Sequence, residues 1–243
     1  HKMGYKVKEV PVSWRHVAGS KVNLFSDALR MLINVLQIRI WHCTPINPLH
    51  KYLGRNEYLY MYQLEREHWW FVSRRKLALD LILSLKHSAP KILDVGCGTG
   101  GNLAAFMALG DSYGLDISES AVQFCGQRKL KNIVRSAVEK ISYADKVFDI
   151  VTCLDVLEHV QNPVEVLAEI KRVLKNEGTL ILMVPAFKFL WSRHDDALCH
   201  FRRYDRTSLL RDLEEAGFKV TTMSFFFFAA FWAVLPIRIL RRF

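Results

Sequence analysis

No two cysteines of this chain stand in a C-x-x-C pair. The five present, Cys43, Cys97, Cys125, Cys153 and Cys199, are scattered through 243 residues. That spacing argues against a zinc site, and a disulfide framework has little purpose in a chain long enough to bury a full core. No metal is therefore expected, and the isolated thiols point to a reduced, cytosolic compartment. Internal repeats are absent, as is the charged-apolar-small order of a signal peptide. His1 is not a natural start, so the chain is expected to begin at Met3 or to be cut from something longer. Acidic residues are in deficit, since 34 Lys and Arg against 24 Asp and Glu leave a net charge of +10. A polyanionic partner follows from that balance. The basic excess lies in the first 42 residues and the last six, both joined to apolar segments. This placement favours an anionic membrane surface over a nucleic-acid groove.

What is present is apolar and periodic. Hydrophobic residues make up 51% of the chain, which excludes disorder as its general state. Ser26-Asp27 reads as an N-cap opening a helix to about Ile40, with Leu29, Leu32, Ile33, Leu36 and Ile40 on one face. That amphipathic helix suits a membrane surface or a protein core equally. Thr44-Pro45-Ile46-Asn47-Pro48 breaks it and serves as a linker. Helical patterning from Tyr58 to about Leu85 follows, in two pieces meeting near Trp70–Ser73. Strands are then expected at 91–95, 112–116, 132–134, 147–154, 178–184 and 218–224. Helices are expected at 100–109, 118–129, 163–175 and 207–216. This alternation specifies an α/β fold with a doubly wound, mainly parallel sheet and an N-terminal helical extension. Three regions result: 1–48 with the amphipathic helix, 49–225 as the α/β domain, and 226–243 as an apolar-basic segment. Residues 220–237 carry no charged side chain. After the strand at 218–224 the remainder is short for a span and contains Pro236, so an interfacial anchor and a sheet-covering segment stand ahead of a true span, and all three readings stay open.

The loop Gly96-Cys97-Gly98-Thr99-Gly100-Gly101 fits both G-x-G-x-x-G and G-x-G-x-G. Such turns let the backbone approach a ligand closely. Asp94, two residues before Gly96, decides between ligands. A dinucleotide brings a negative pyrophosphate to this turn, which a carboxylate opposes. S-adenosylmethionine (SAM) brings an ammonium and a sulfonium and no phosphate. Asp116, ending the next strand, lies where a ribose diol would sit in either case.

Residues 91–224 resemble class I SAM-dependent methyltransferases of the type 11 and type 12 group, with a Rossmann-like sheet. The resemblance rests on ILDVGCGTG (92–100), YGLDIS (113–118), FDIVTCLDVLEHV (148–160), NPVEVLAEIKRVLKNEGTLILMVP (162–185) and EEAGFKV (214–220). It implies SAM as cofactor, with Asp94, Gly96, Cys97, Gly98 and Gly100 around its methionine part. It implies further that Asp116 takes the ribose hydroxyls and Leu154 borders the adenine side; Ile117, Val138 and Arg75 complete the expected cofactor set. Two features depart from the family pattern. Ala137 stands where many relatives carry an acid near the adenine amino group, and no seventh strand is readable after 224.

Two further clusters resemble a subgroup of the same family: Glu65-x-x-His68-Trp69-Trp70-Phe71 with Arg74-Arg75, and His194-Asp195 followed by His200-x-Arg202-Arg203-Tyr204. Trp69, Arg202, Arg203 and Tyr204 are the expected acceptor-binding residues. Paired arginines flanked by histidines suit an anionic group; the alternative is that the arginines form salt bridges and the tryptophans are core. Methyl transfer gains most from proximity, and an oxygen or nitrogen acceptor also needs a base. His194, His200 and His159 are the candidates, because an imidazole titrates near neutrality. Residues 1–42 resemble instead the C-terminal tail of family-2 glycosyltransferases acting on polyprenyl phosphates, through GYKVKEVPVSWRHVAGSKVNLFSDALRMLINVLQIR. That implies a glycosyltransferase fusion or partner and a lipid-linked acceptor. The expected function is thus a peripheral membrane methyltransferase acting on a small-molecule or lipid-linked substrate at the cytosolic face, with no nucleic acid bound. Two alternatives remain open: a non-catalytic SAM-fold docking module, and an RNA methyltransferase. The latter is disfavoured by the lack of an N/D-P-P-Y/F tetrapeptide after the fourth strand.

Overall fold

The computed structural model describes residues 55–226, apart from the side chains of Arg55, Asn56, Arg193 and His194. The amphipathic helix at 26–40, the linker at 44–48, the glycosyltransferase-like tail and all but the first residue of the 226–243 segment lie outside the described residues. Two helices come first, α1 (Arg55–Leu64) and α2 (Trp69–Ser84). The sheet follows with β1 (Lys91–Val95), α3 (Gly101–Phe106), β2 (Asp111–Asp116), α4 (Glu119–Gln127), β3 (Ile133–Arg135) and β4 (Phe148–Leu154). After β4 come α5 (Pro163–Val173), β5 (Leu174–Met183), a short α6 (Arg193–Ala197) and α7 (Arg206–Glu215).

All strand pairs are parallel, in the order β3-β2-β1-β4-β5. The chain winds outward from β1 to β3, then crosses back to place β4 on the other side of β1. That reversal opens a crevice at the carboxyl ends of β1 and β4, where sheets of this kind bind ligands. Alternation along the strands sorts side chains to two faces. Ile92, Ile150 and Leu154 pack with Ala78 and Ile82 of α2 and Phe106 of α3. Leu93, Val95, Val151 and Cys153 pack with Leu167 and Ile170 of α5 and Leu213 of α7. Because both faces are covered, the central strands β1 and β4 read as mainly apolar stretches with no strict alternation.

Helix starts follow their caps. Ser118 accepts from Ala121 N to open α4. Asn162 accepts from Glu165 N with Pro163 in the first turn of α5. Asp205 and Ser208 form a reciprocal capping box at α7. The expected helix at 163–175 stops at Val173 because β5 begins at once, four residues earlier than its apolar run announces. The expected strand at 218–224 is a correction, since residues 218–225 form no ladder. Phe218 and Val220 do pack into the core. An extended apolar run satisfies burial without a hydrogen-bonding neighbour in register, and only the second makes a strand. Among the described residues no helix is long and apolar enough to cross a membrane.

Candidate cofactor and acceptor site

The glycine loop leaves β1 through left-handed backbone at Gly96, Gly98 and Gly100, with φ of 70°, 55° and 80°. Only glycine adopts these at little cost. The loop is tied to β2 through Asp116, whose Oδ2 accepts from Gly98 N at 2.9 Å while Oδ1 accepts from Ser118 N at 2.9 Å. Tyr58 of α1 donates to the same Oδ1 at 3.5 Å. Burial raises the Asp116 carboxyl above its ordinary range, against the pull of these donors. Asp94 is more enclosed. Its Oδ1 accepts from Thr152 Oγ1 at 2.6 Å, and its Oδ2 is buried with no hydrogen-bond partner. Burial pushes this carboxyl up to about 6, with Thr152 and Arg74 pulling the other way.

The two N-terminal helices bring charges that the α/β core lacks. Glu65, at the end of α1, is buried and accepts from Thr99 Oγ1 at 2.7 Å and from Arg128 Nη2. Arg128 also donates from Nε to the Thr99 carbonyl at 2.9 Å and lies over the Tyr62 ring. Arg75, an expected cofactor residue, donates instead to the Glu65 carbonyl at 2.8 Å. Its neighbour Arg74 is the one that reaches the crevice, with Nη1 2.5 Å from Asp155 Oδ2. Trp69 is half-buried and packs edge-on against Trp70. Of the remaining expected cofactor residues, Leu154 is buried against the α2 face, Val138 packs at the edge of the opposite core, and Ile117 is exposed.

The segment after β5 folds back over the loop that follows β4. Asp195 is fully buried: its Oδ2 accepts from Ser192 N, and its Oδ1 accepts from Arg203 Nε at 2.6 Å and meets His200 Nδ1 at 3.1 Å. These donors hold the Asp195 carboxyl well below the usual carboxylate range in spite of burial. Arg202 donates to the carbonyls of Val160 and Gln161. Tyr204 is buried in the core with its hydroxyl unpartnered. Arg203 thus braces the insert internally and Arg202 ties it to the loop after β4, so both arginines expected to hold an anion have protein partners, and Tyr204 is a core residue. The histidines do come together. The rings of His159 and His200 lie 4.7 Å apart, edge to face. Glu158, His159 and His200 each bring a ligand-type atom within 4.8 Å of the others, and Glu158 Oε2 is buried without a partner. Burial lowers His159 to about 4, so it is neutral near pH 7. The backbone of His194 lies in α6, but its side chain is outside the described residues. Sequence reasoning did not single out Tyr58, Thr152, Glu158 or Arg128, and Asp195 was named only as part of the His194-Asp195 motif. Glu65 and Arg74 stood in a quoted motif without a role.

These groups fit SAM better than a dinucleotide. An unpaired buried carboxylate at the loop accepts an ammonium, Arg74 and Arg128 already hold carboxylates, and the loop offers a phosphate no free cation among the described residues. A parallel sheet in this order, with an acid at the end of β1, a glycine loop and an acid closing β2, is the arrangement of class I methyltransferase domains, which use SAM. The comparisons with known proteins agree: residues 93–182 match the family described as "Methyltransferase domain". A "Ubiquinone biosynthesis O-methyltransferase" of Photobacterium profundum is 40% identical over 96 residues, covering 36% of this chain and 40% of that one. An uncharacterized protein of Methanocaldococcus jannaschii is 30% identical over 153 residues, covering 62% of this chain and 65% of its own. The chain therefore spans less than two thirds of either relative. A solved structure of a putative methyltransferase from Bacillus halodurans superposes with a TM-score of 0.50 at 26% identity, covering 58% of this chain and 68% of that one. The family match begins at residue 93, and the glycosyltransferase resemblance of residues 1–42 is not borne out.

Proposed function

We propose that the protein transfers the methyl group of SAM to a hydroxyl oxygen of a small or lipid-linked acceptor. The acceptor binds between the loop after β4 and the 191–204 insert. The observation that carries this reading is the Glu158–His159–His200 cluster at the β4 side of the crevice whose β1 side holds Asp94 and the glycine loop. The cofactor supplies an activated methyl on a sulfonium. The chain supplies orientation, exclusion of water and a base. His159 or His200 takes the hydroxyl proton as the oxygen attacks the methyl carbon, and the carbon–sulfur electron pair leaves with the thioether. Proximity of the two reactants is worth up to roughly 7–11 kcal/mol of barrier, and a positioned base a further 10²–10⁴-fold, approximately. An oxygen acceptor is supported by the relatives named ubiquinone biosynthesis O-methyltransferase. A lipid-linked acceptor at a membrane surface is supported by the exposed Phe189, Phe201 and Phe225 and by the net charge. An anionic acceptor group has less support, since Arg202 and Arg203 have protein partners.

The test uses labelled SAM with a catechol and with a hydroxylated prenyl-chain analogue as probe acceptors. Transfer to an oxygen is expected, and His159→Gln and His200→Gln should slow it while leaving S-adenosylhomocysteine affinity in place. Full activity in both variants would sink the base assignment. Failure of the intact chain to bind S-adenosylhomocysteine would sink the enzyme reading.

A further inference from the structure

Glycine loops between a strand and a helix ordinarily present backbone N–H groups to phosphate. In this protein a carboxylate from outside the α/β core is packed against that loop. Glu65 Oε2 lies so close to Gly101 that a Cβ built there would stand 2.1 Å from it. Its Oε1 accepts from Thr99 Oγ1, so both ends of the carboxylate are fitted to the loop. Arg128 pairs with that same Oε1, which leaves Oε2 as the oxygen turned to Gly101, and the guanidinium is itself fixed by the Thr99 carbonyl and the Tyr62 ring. The pair is buried on both sides, with side-chain exposures of 8% and 7%. A buried charge pair is kept in place by the cost of leaving either member alone. Asp94 and Asp116 add two further acids at the same loop.

We propose that Glu65 is a specificity-determining residue of the cofactor site: its carboxylate, locked on the 96–101 loop by Thr99 and Arg128, bars phosphate-bearing nucleotides. The inference rests on the reading of this loop as the SAM site and adds the residue that decides against the other ligand class. A phosphate entering the loop would meet Glu65 sterically and as a like charge in a poorly solvated place, where such repulsion is weakly screened. SAM and S-adenosylhomocysteine bring one carboxylate balanced by an ammonium, where ADP brings several uncompensated negative oxygens, so the same acids oppose them far less. The position explains why the acid belongs to α1: the strand–loop–helix unit supplies glycines and N–H groups that suit either ligand class.

The experiment is calorimetry on the full chain with S-adenosylhomocysteine, adenosine and ADP. The intact chain should bind adenosine at least about tenfold more tightly than ADP. Equal or tighter ADP binding would overturn the proposal without any variant. In Glu65→Gln, which leaves Arg128 without its carboxylate, the adenosine preference should fall at least about tenfold, chiefly through gained ADP affinity. Should that variant not fold, Glu65→Gln with Arg128→Gln removes the pair together, a change that buried pairs tolerate better; the preference should fall there too. A folded variant of either kind that discriminates as the intact chain does overturns the role of Glu65. Binding of S-adenosylhomocysteine reports separately on the cofactor reading, because it does not depend on how ADP fares.

Discussion

Asp94 and His159 are both removed from water, and burial moves them in opposite directions. The Asp94 carboxyl rises from 3.8 to about 6, and the His159 imidazole drops from 6.5 to about 4. An ammonium ligand needs Asp94 ionised, so affinity for S-adenosylhomocysteine should fall as pH drops through 6. Asp94→Asn should weaken binding by about 1–3 kcal/mol at neutral pH and flatten that dependence. Calorimetry at pH 5, 6 and 7.5 decides it, and an unchanged profile in the variant would remove Asp94 from the site. For stability the Asp94 sign is reversed. The folded state holds the Asp94 proton more tightly than the unfolded chain does, so this residue lowers stability as pH rises from about 4 to about 6. His159 does the reverse: the unfolded chain binds its proton more tightly, so stability falls as pH drops from about 6.5 to about 4. Denaturation of His159→Gln should therefore show a shallower acid loss than the intact chain, and denaturation of Asp94→Asn a steeper one.

At the scale of elements, the 191–204 insert is closed on itself by a buried ion pair and not by apolar burial alone. Arg203 reaches Asp195, while Ala186 and Tyr204 form a parallel bridge next to it. Removing one member of such a pair leaves the other charge buried. Arg203→Leu should destabilise by about 3–5 kcal/mol in urea denaturation. Tyr204→Phe should be neutral or slightly stabilising, because the hydroxyl it deletes is buried without a partner. A large loss in Tyr204→Phe, or none in Arg203→Leu, would contradict this account of the insert. The arginine pair in the motif was visible in the sequence, but its role was not. Two arginines among histidines suit an anionic substrate and an internal carboxylate alike, and Asp195 lies eight residues from Arg203, a spacing that no helix or strand period brings together.

At the scale of the whole molecule, attachment to a membrane is a separate question from the site. The proposal that the 27–41 segment and the 226–242 segment grip an anionic surface makes a salt-sensitive prediction. Each basic residue near such a surface contributes about 1 kcal/mol, and one apolar element alone binds only marginally. The intact chain should float with anionic liposomes at low salt and less so at high salt. Truncation at Ser224 combined with deletion of 1–42 should abolish flotation while sparing S-adenosylhomocysteine binding. An intact chain that stays in the soluble fraction at low salt would remove the membrane from the proposal.

The five parallel strands were legible in the sequence because burial on both faces leaves short, mainly apolar stretches, as in Ile92-Leu93 and Phe148 to Leu154. Asp94, Asp116 and the left-handed glycines were legible for a related reason: a strand end, a turn and a helix start are local events, set by neighbours in the chain. The strand expected at 218–224 fails because a ladder needs a partner in register, which the local run does not encode. The same limit applies at the site. That Glu65 would meet Thr99 and Arg128, that Arg74 and not Arg75 would reach the crevice, and that His159 and His200 would face one another were decided only by tertiary packing. These pairs are separated by tens of residues, and their energies depend on burial, which no local pattern of side chains specifies.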